Sequence, residues 1–138
     1  MLTIHCLSSH GHICNGVSSP KGLALSPDER FLLVVDSEGK FIHVVDVVDE
    51  YHCVRHLQGP AGTLIQPTGI AIVPSSLRVL VSDSQRNVVV VFRSYQIDNV
   101  DVLFELGTGV RGNQPNQFDT CLGLSVFEPT DVRERVTS

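Results

Sequence analysis

Residues 20–46 recur at 67–93, and that repeat constrains the fold more than any other feature of the chain. Pro20-Lys-Gly22-Leu-Ala24-Leu-Ser-Pro27 realigns without a gap on Pro67-Thr-Gly69-Ile-Ala71-Ile-Val-Pro74, at an offset of 47 residues. The match continues through Leu33-Val34 on Leu80-Val81, Asp36-Ser37 on Asp83-Ser84 and Val44 on Val91. Nine of the 27 aligned positions are identical and six more exchange one bulky apolar residue for another, where chance would give roughly two identities. A period of this length means a stack of one supersecondary unit.

Each copy reads as four short strands. In the first they are Gly22–Ser26, Phe31–Val35, Phe41–Asp46 and Tyr51–Leu57. In the second they are Gly69–Val73, Leu77–Ser82, Asn87–Arg93 and Val100–Leu106. Turn residues punctuate them at Ser26-Pro27-Asp28, Ser37-Glu38-Gly39, Val73-Pro74-Ser75 and Asp98-Asn99. The last run alternates, with Val100, Val102, Phe104 and Leu106 on one face and Asp101 and Glu105 on the other, the period of a half-exposed strand. The inner runs are almost unbroken apolar, as strands covered on both faces should be.

Four antiparallel strands per unit point to propeller blades. The expected fold is all-β: a partial β-propeller with whole blades at 20–57 and 67–106 and half-blades at each end. Residues 1–15, through Leu2–Leu7 and His12–Asn15, read as the close of a preceding blade. Residues 117–126, Gln117-Phe118 and then Leu122-Gly123-Leu124-Ser125-Val126, read as the opening of a following one. Residues 127–138 alternate charges without an apolar face and read as a frayed tail. Two blades do not close a ring, and each needs neighbours on both faces. The sequence therefore predicts a piece of a larger propeller, or self-association that completes one.

Composition narrows the partners. Apolar residues make up 42% of the 138 and charged ones 18%, ordinary values for a globular chain. The net charge is −5, and the ten basic residues are scattered singly from Lys21 to Arg135. Phosphate recognition calls for clustered Lys and Arg, so nucleic acid is disfavoured as a partner. No apolar run approaches the ~20 residues that span a bilayer, and Met1–Leu7 lacks the charged and apolar regions of a signal peptide. Cys6, Cys14, Cys53 and Cys121 show no paired spacing, which suits reduced thiols in a cytoplasmic setting.

Pro-x-Gly-Ile/Leu-Ala, then Val-x-Asp-Ser, then Val-Val/Phe closing a strand, resemble the NHL repeat over roughly residues 18–126. Gly107–Phe118 is similar to that family's Gly-rich lead into a Gln-Phe pair before the next blade. After Asp-Ser, where the family has Asn and Arg, this chain has Arg86 and Val88, and in the first copy Gly39 and Phe41. The resemblance implies a six-bladed ring. In function it implies a non-enzymatic scaffold that meets a protein partner through blade loops, such as the substrate-recognition end of a tripartite-motif ubiquitin ligase. The alternatives are an RNA-binding member and a propeller lyase or hydrolase acting from its central channel. No cofactor is expected.

The candidate sites reduce mostly to architecture. Asp36-Ser37 and Asp83-Ser84 recur in equivalent turns, where their side chains can satisfy backbone amides. Pro20, Gly22, Pro67 and Gly69 open each copy, the glycines suiting a bulge or a close backbone approach. Gly107-x-Gly109-x-x-Gly112 formally matches a dinucleotide fingerprint but has no helix to follow it. Asp46, Asp49 and Glu50 read as a solvated hairpin tip. His10, His12 and Cys14, at alternate positions of a strand, are the residues with metal-ligand chemistry, and His52, Cys53 and His56 lie in the matching strand of the next blade. Gly11 and Ser8-Ser9 place His10 in a turn, so no metal site is assigned, and no catalytic residue stands out.

Overall fold

The computed structural model describes residues 17–49, 51–96 and 102–127. Eight strands follow in order: β1 (Pro20–Leu25), β2 (Phe31–Asp36), β3 (Phe41–Asp46), β4 (His52–Leu57), β5 (Pro67–Ile72), β6 (Val79–Asp83), β7 (Val88–Phe92) and β8 (Val102–Leu106). They form two four-stranded antiparallel sheets, β1-β2-β3-β4 and β5-β6-β7-β8. These are the two blades the repeat predicts, and the chain is all-β among the described residues. Among them no helix is long and apolar enough to cross a membrane. The N-terminal half-blade falls outside the described residues.

The two sheets have the same register. Pro20 opposes Asp36 as Pro67 opposes Asp83, and each first strand carries an irregularity just after its proline. Each β-turn after the second strand is built by its aspartate. Asp36 accepts hydrogen bonds from the amides of Ser18 (2.9 Å), Ser19 (3.1 Å) and Gly39 (2.9 Å). Asp83 accepts them from Ile65 (2.6 Å), Gln66 (3.2 Å) and Arg86 (3.0 Å), at the same three offsets, and from Gln85 (3.1 Å). One carboxylate thus ties the entering segment to the turn two strands away. Lys40 and Asn87 close the two turns in the left-handed region, with φ of 64° and 55°.

Side chains of the inner strands are buried on both faces. Leu33, Val35, Ile42 and Val44 of the first blade meet Ile70, Val79, Val81, Val90 and Phe92 of the second in one shared core. Burying an aliphatic side chain of this size contributes about 1.5–3 kcal/mol before conformational entropy is subtracted. β1 lies along β5. At Gly22 an added Cβ would sit 2.5 Å from the Thr68 carbonyl oxygen, so this glycine is required by blade-to-blade approach. Tyr95, from the loop after β7, enters the shared core beside Phe31 and is only 1% exposed. The Arg55 guanidinium donates to the Tyr95 carbonyl at 2.6 Å, holding that loop against the first blade.

Two expectations change. The alternation in the last strand is broken, because Val102 opposes Phe92 whereas Phe104 opposes the adjacent Val91. Leu103 is therefore the extra residue of a bulge, and Val102 faces the core while Phe104 and Leu106 occupy the other face, 44% and 42% exposed. Residues 117–126 form no strand; among the described residues their pairing is the isolated Arg111–Phe118 bridge. A blade's first strand pairs with its second, and no second strand follows among the described residues. A Cβ on Gly69 would lie 2.8 Å from the Gly123 Cα, so the chain at Gly123 runs close against the second blade. Its backbone packs on Gly69 much as Thr68 packs on Gly22.

Candidate functional site

Strand pairing assembles a cluster that linear spacing hides. On the first blade His43 in β3 lies directly opposite His56 in β4, and Val45 lies opposite Cys53. Positions 53 and 56 are an odd number apart and would face opposite ways on a regular strand. The register shift between Val44 and Val45 makes Val54 an extra residue and returns both side chains to the His43 face. The face is the one turned away from the second blade, shared with Leu32, Val34 and Val45.

His43 is buried, Cys53 half-buried and His56 exposed, so the cluster opens to solvent at one side. One ligand atom from each lies within 4.8 Å of the others. His43 Nε2 is 3.2 Å from Asp36 Oδ2, and its other nitrogen, Nδ1, is 3.9 Å from Cys53 Sγ. The Phe41 ring packs 4.6 Å from both imidazoles, which themselves meet edge to face at 4.8 Å. Cys53 and Cys121 are thiols. A carboxylate, an imidazole and a thiol in line can pass a proton along the row, and the imidazoles and thiol can together hold a borderline metal ion.

The electrostatics follow from burial and hydrogen bonding. Burial pushes the Asp36 carboxyl up, but the Gly39 and Ser18 amides, the His43 ring and the Ser19 amide outweigh it and hold the pKa at about 2. Burial opposes charge on the His43 ring, yet hydrogen bonds and charge from Cys53 and Asp36 outweigh it and raise its pKa from the ordinary histidine value. The two shifts act on stability with opposite signs. Asp36, depressed in the fold, stabilises above the free-carboxyl value near pH 4 and loses about 2 kcal/mol as pH falls towards 2. His43, raised in the fold, stabilises fully below its unfolded value of about 6.5 and loses that contribution as pH climbs through the folded pKa. Urea midpoints measured from acid to mildly alkaline pH are expected to trace a dome. In His43→Val the alkaline limb should vanish while the acid limb stays; an unchanged alkaline limb would refute the assignment.

The other candidate residues resolve differently. Asp36, Ser37, Asp83 and Ser84 belong to the turns: the Ser37 amide donates to the Ser19 carbonyl at 2.9 Å and the Ser84 amide to that of Gln66 at 3.1 Å. Asp46 receives the Val48 and Asp49 amides at 3.0 Å each and the Arg30 guanidinium at 3.1 Å, so it organises its loop. Exposed His52 turns its Nδ1 to the Asp49 carbonyl at 2.7 Å and takes no part in the cluster. Gly107 approaches the Phe118 ring, and no helix follows the Gly-rich segment among the described residues. His10, His12 and Cys14 lie outside the described residues. Sequence reasoning groups Cys53 and His56 with His52 and misses His43; tracing the β3–β4 hairpin register is the signal that finds it.

No family model and no curated protein matches the chain. Among solved structures, a chain of the Kuenenia stuttgartiensis hydrazine synthase is similar, with a TM-score of 0.61 and 16% identity. The likeness is one of fold. It covers 88% of this chain and 30% of that chain, so this chain spans under a third of its neighbour's length.

Proposed function

We propose that the chain is a segment of an NHL-type propeller that serves as a protein-interaction scaffold in the cytoplasm. Its loops would meet a protein partner, in the manner of the substrate-recognition end of a tripartite-motif-like ubiquitin ligase. The repeated polar side chains support a structural rather than chemical role for the repeat, because Asp36 and Asp83 spend their oxygens on the backbone amides of the turns.

One comparison inside the chain carries the reading. Tyr95, 1% exposed, pins the second blade to the first; the position 47 residues earlier is Val48, 70% exposed. Among the described residues the first blade therefore presents an unmatched docking position where the second presents a filled one. A rigid blade with such a face is built to pack against another blade. Sedimentation of the chain at micromolar concentration is expected to show self-association, and Val48→Asp to weaken it several-fold. A well-folded monomer in both cases would overturn the scaffold reading. A RING, B-box or coiled-coil segment encoded upstream in the same reading frame is the companion the ligase version expects.

A further inference from the structure

We propose that His43, Cys53 and His56 form a zinc site on the first blade. The site stands independently of the scaffold reading, because it rests on side chains that the equivalent positions of the second blade lack. The second blade makes the contrast. Its register places Val90, Val102 and Glu105 where the first blade has His43, Cys53 and His56. Asp83 nevertheless makes the same turn bonds as Asp36 without any histidine. Nothing in the construction of a blade calls for two imidazoles and a thiol here.

The geometry fits the ion. Zinc takes nitrogen at about 2.0–2.1 Å and thiolate sulfur at about 2.3 Å in a tetrahedron, which sets ligand atoms roughly 3.3–3.6 Å apart. The His43 nitrogen and Cys53 sulfur already stand 3.9 Å apart, and all three donors lie within 4.8 Å. The remaining contraction falls on His56, whose exposed side chain can move by rotamer change. His43 offers Nδ1, because its Nε2 is held by the Asp36 carboxylate. A carboxylate that fixes the far nitrogen orients the ring and raises its basicity, the usual support of a metal-bound imidazole. Two nitrogens and a thiolate select zinc over hard cations such as magnesium or calcium. Three protein donors would leave a fourth position for water. Binding would release the Cys53 thiol proton to solvent.

The test is titration of the full reduced chain with zinc alone, and with cobalt(II) as its spectroscopic stand-in. One equivalent is expected to bind, with a tetrahedral cobalt spectrum and a thiolate-to-cobalt charge-transfer band. Cys53→Val, the residue the second blade uses, should abolish that band. His56→Ala, at an exposed position, should weaken binding beyond the roughly 10- to 100-fold that loss of an outer supporting group costs. His52→Ala, and the joint replacement His10→Ala, His12→Ala and Cys14→Ser, should leave binding unchanged. The proposal is overturned if a folded chain takes up no stoichiometric metal, as a thiol–imidazole pair alone would behave. It is equally overturned if uptake survives both Cys53→Val and His56→Ala, or is lost with the His10, His12 and Cys14 replacements.

Discussion

Asp83→Ala is expected to lower the unfolding free energy by about 3–5 kcal/mol, read as a fall in the denaturant midpoint at unchanged slope. The residue is fully buried and receives the amides of Ile65, Gln66, Gln85 and Arg86. Removing the carboxylate strands several donors at once, each costing about 1–3 kcal/mol where water cannot reach it. Asn at the same place keeps one acceptor oxygen and should recover roughly half of the loss. Asp36→Ala should behave alike, with a further cost because the His43 ring loses its partner. A change within about 1 kcal/mol for both alanine variants would show that the carboxylates do not hold the turns.

Gly22→Ala is the second large effect, at about 3 kcal/mol, for a steric reason. The new methyl would meet the Thr68 carbonyl oxygen at 2.5 Å, and that atom is backbone of the neighbouring blade. Relief requires the two sheets to move apart, which opens the shared core. Gly123→Ala supplies the control, because a Cβ there has nothing within 4 Å. It should change stability by no more than about 0.5 kcal/mol. Equal thermal midpoints for the two variants would contradict the packing described.

Much of this fold is legible in particular residues. The aligned Pro, Gly and Asp-Ser positions locate both blades, and the near-continuous apolar runs at Phe31–Val35 and Asn87–Arg93 announce strands buried on both faces. What stays hidden depends on single extra residues. The bulges at Val54 and Leu103 invert the facing of everything beyond them, and side-chain alternation read from sequence cannot register an unpaired residue. For that reason Phe104 and Val102 part company, and His43 joins Cys53 and His56. Tyr95 is equally silent, since a loop tyrosine gives no periodic signal before its core is known.

The two sheets are consecutive blades sharing one core, not two independent hairpin stacks, and native-state hydrogen exchange tests this most directly. Amides of β2 and β3 and those of β6 and β7 are expected to exchange with one common opening free energy, equal to that of global unfolding. Gly22→Ala should lower all of them together. Two distinct opening energies, with β6 and β7 unaffected by Gly22→Ala, would contradict the account.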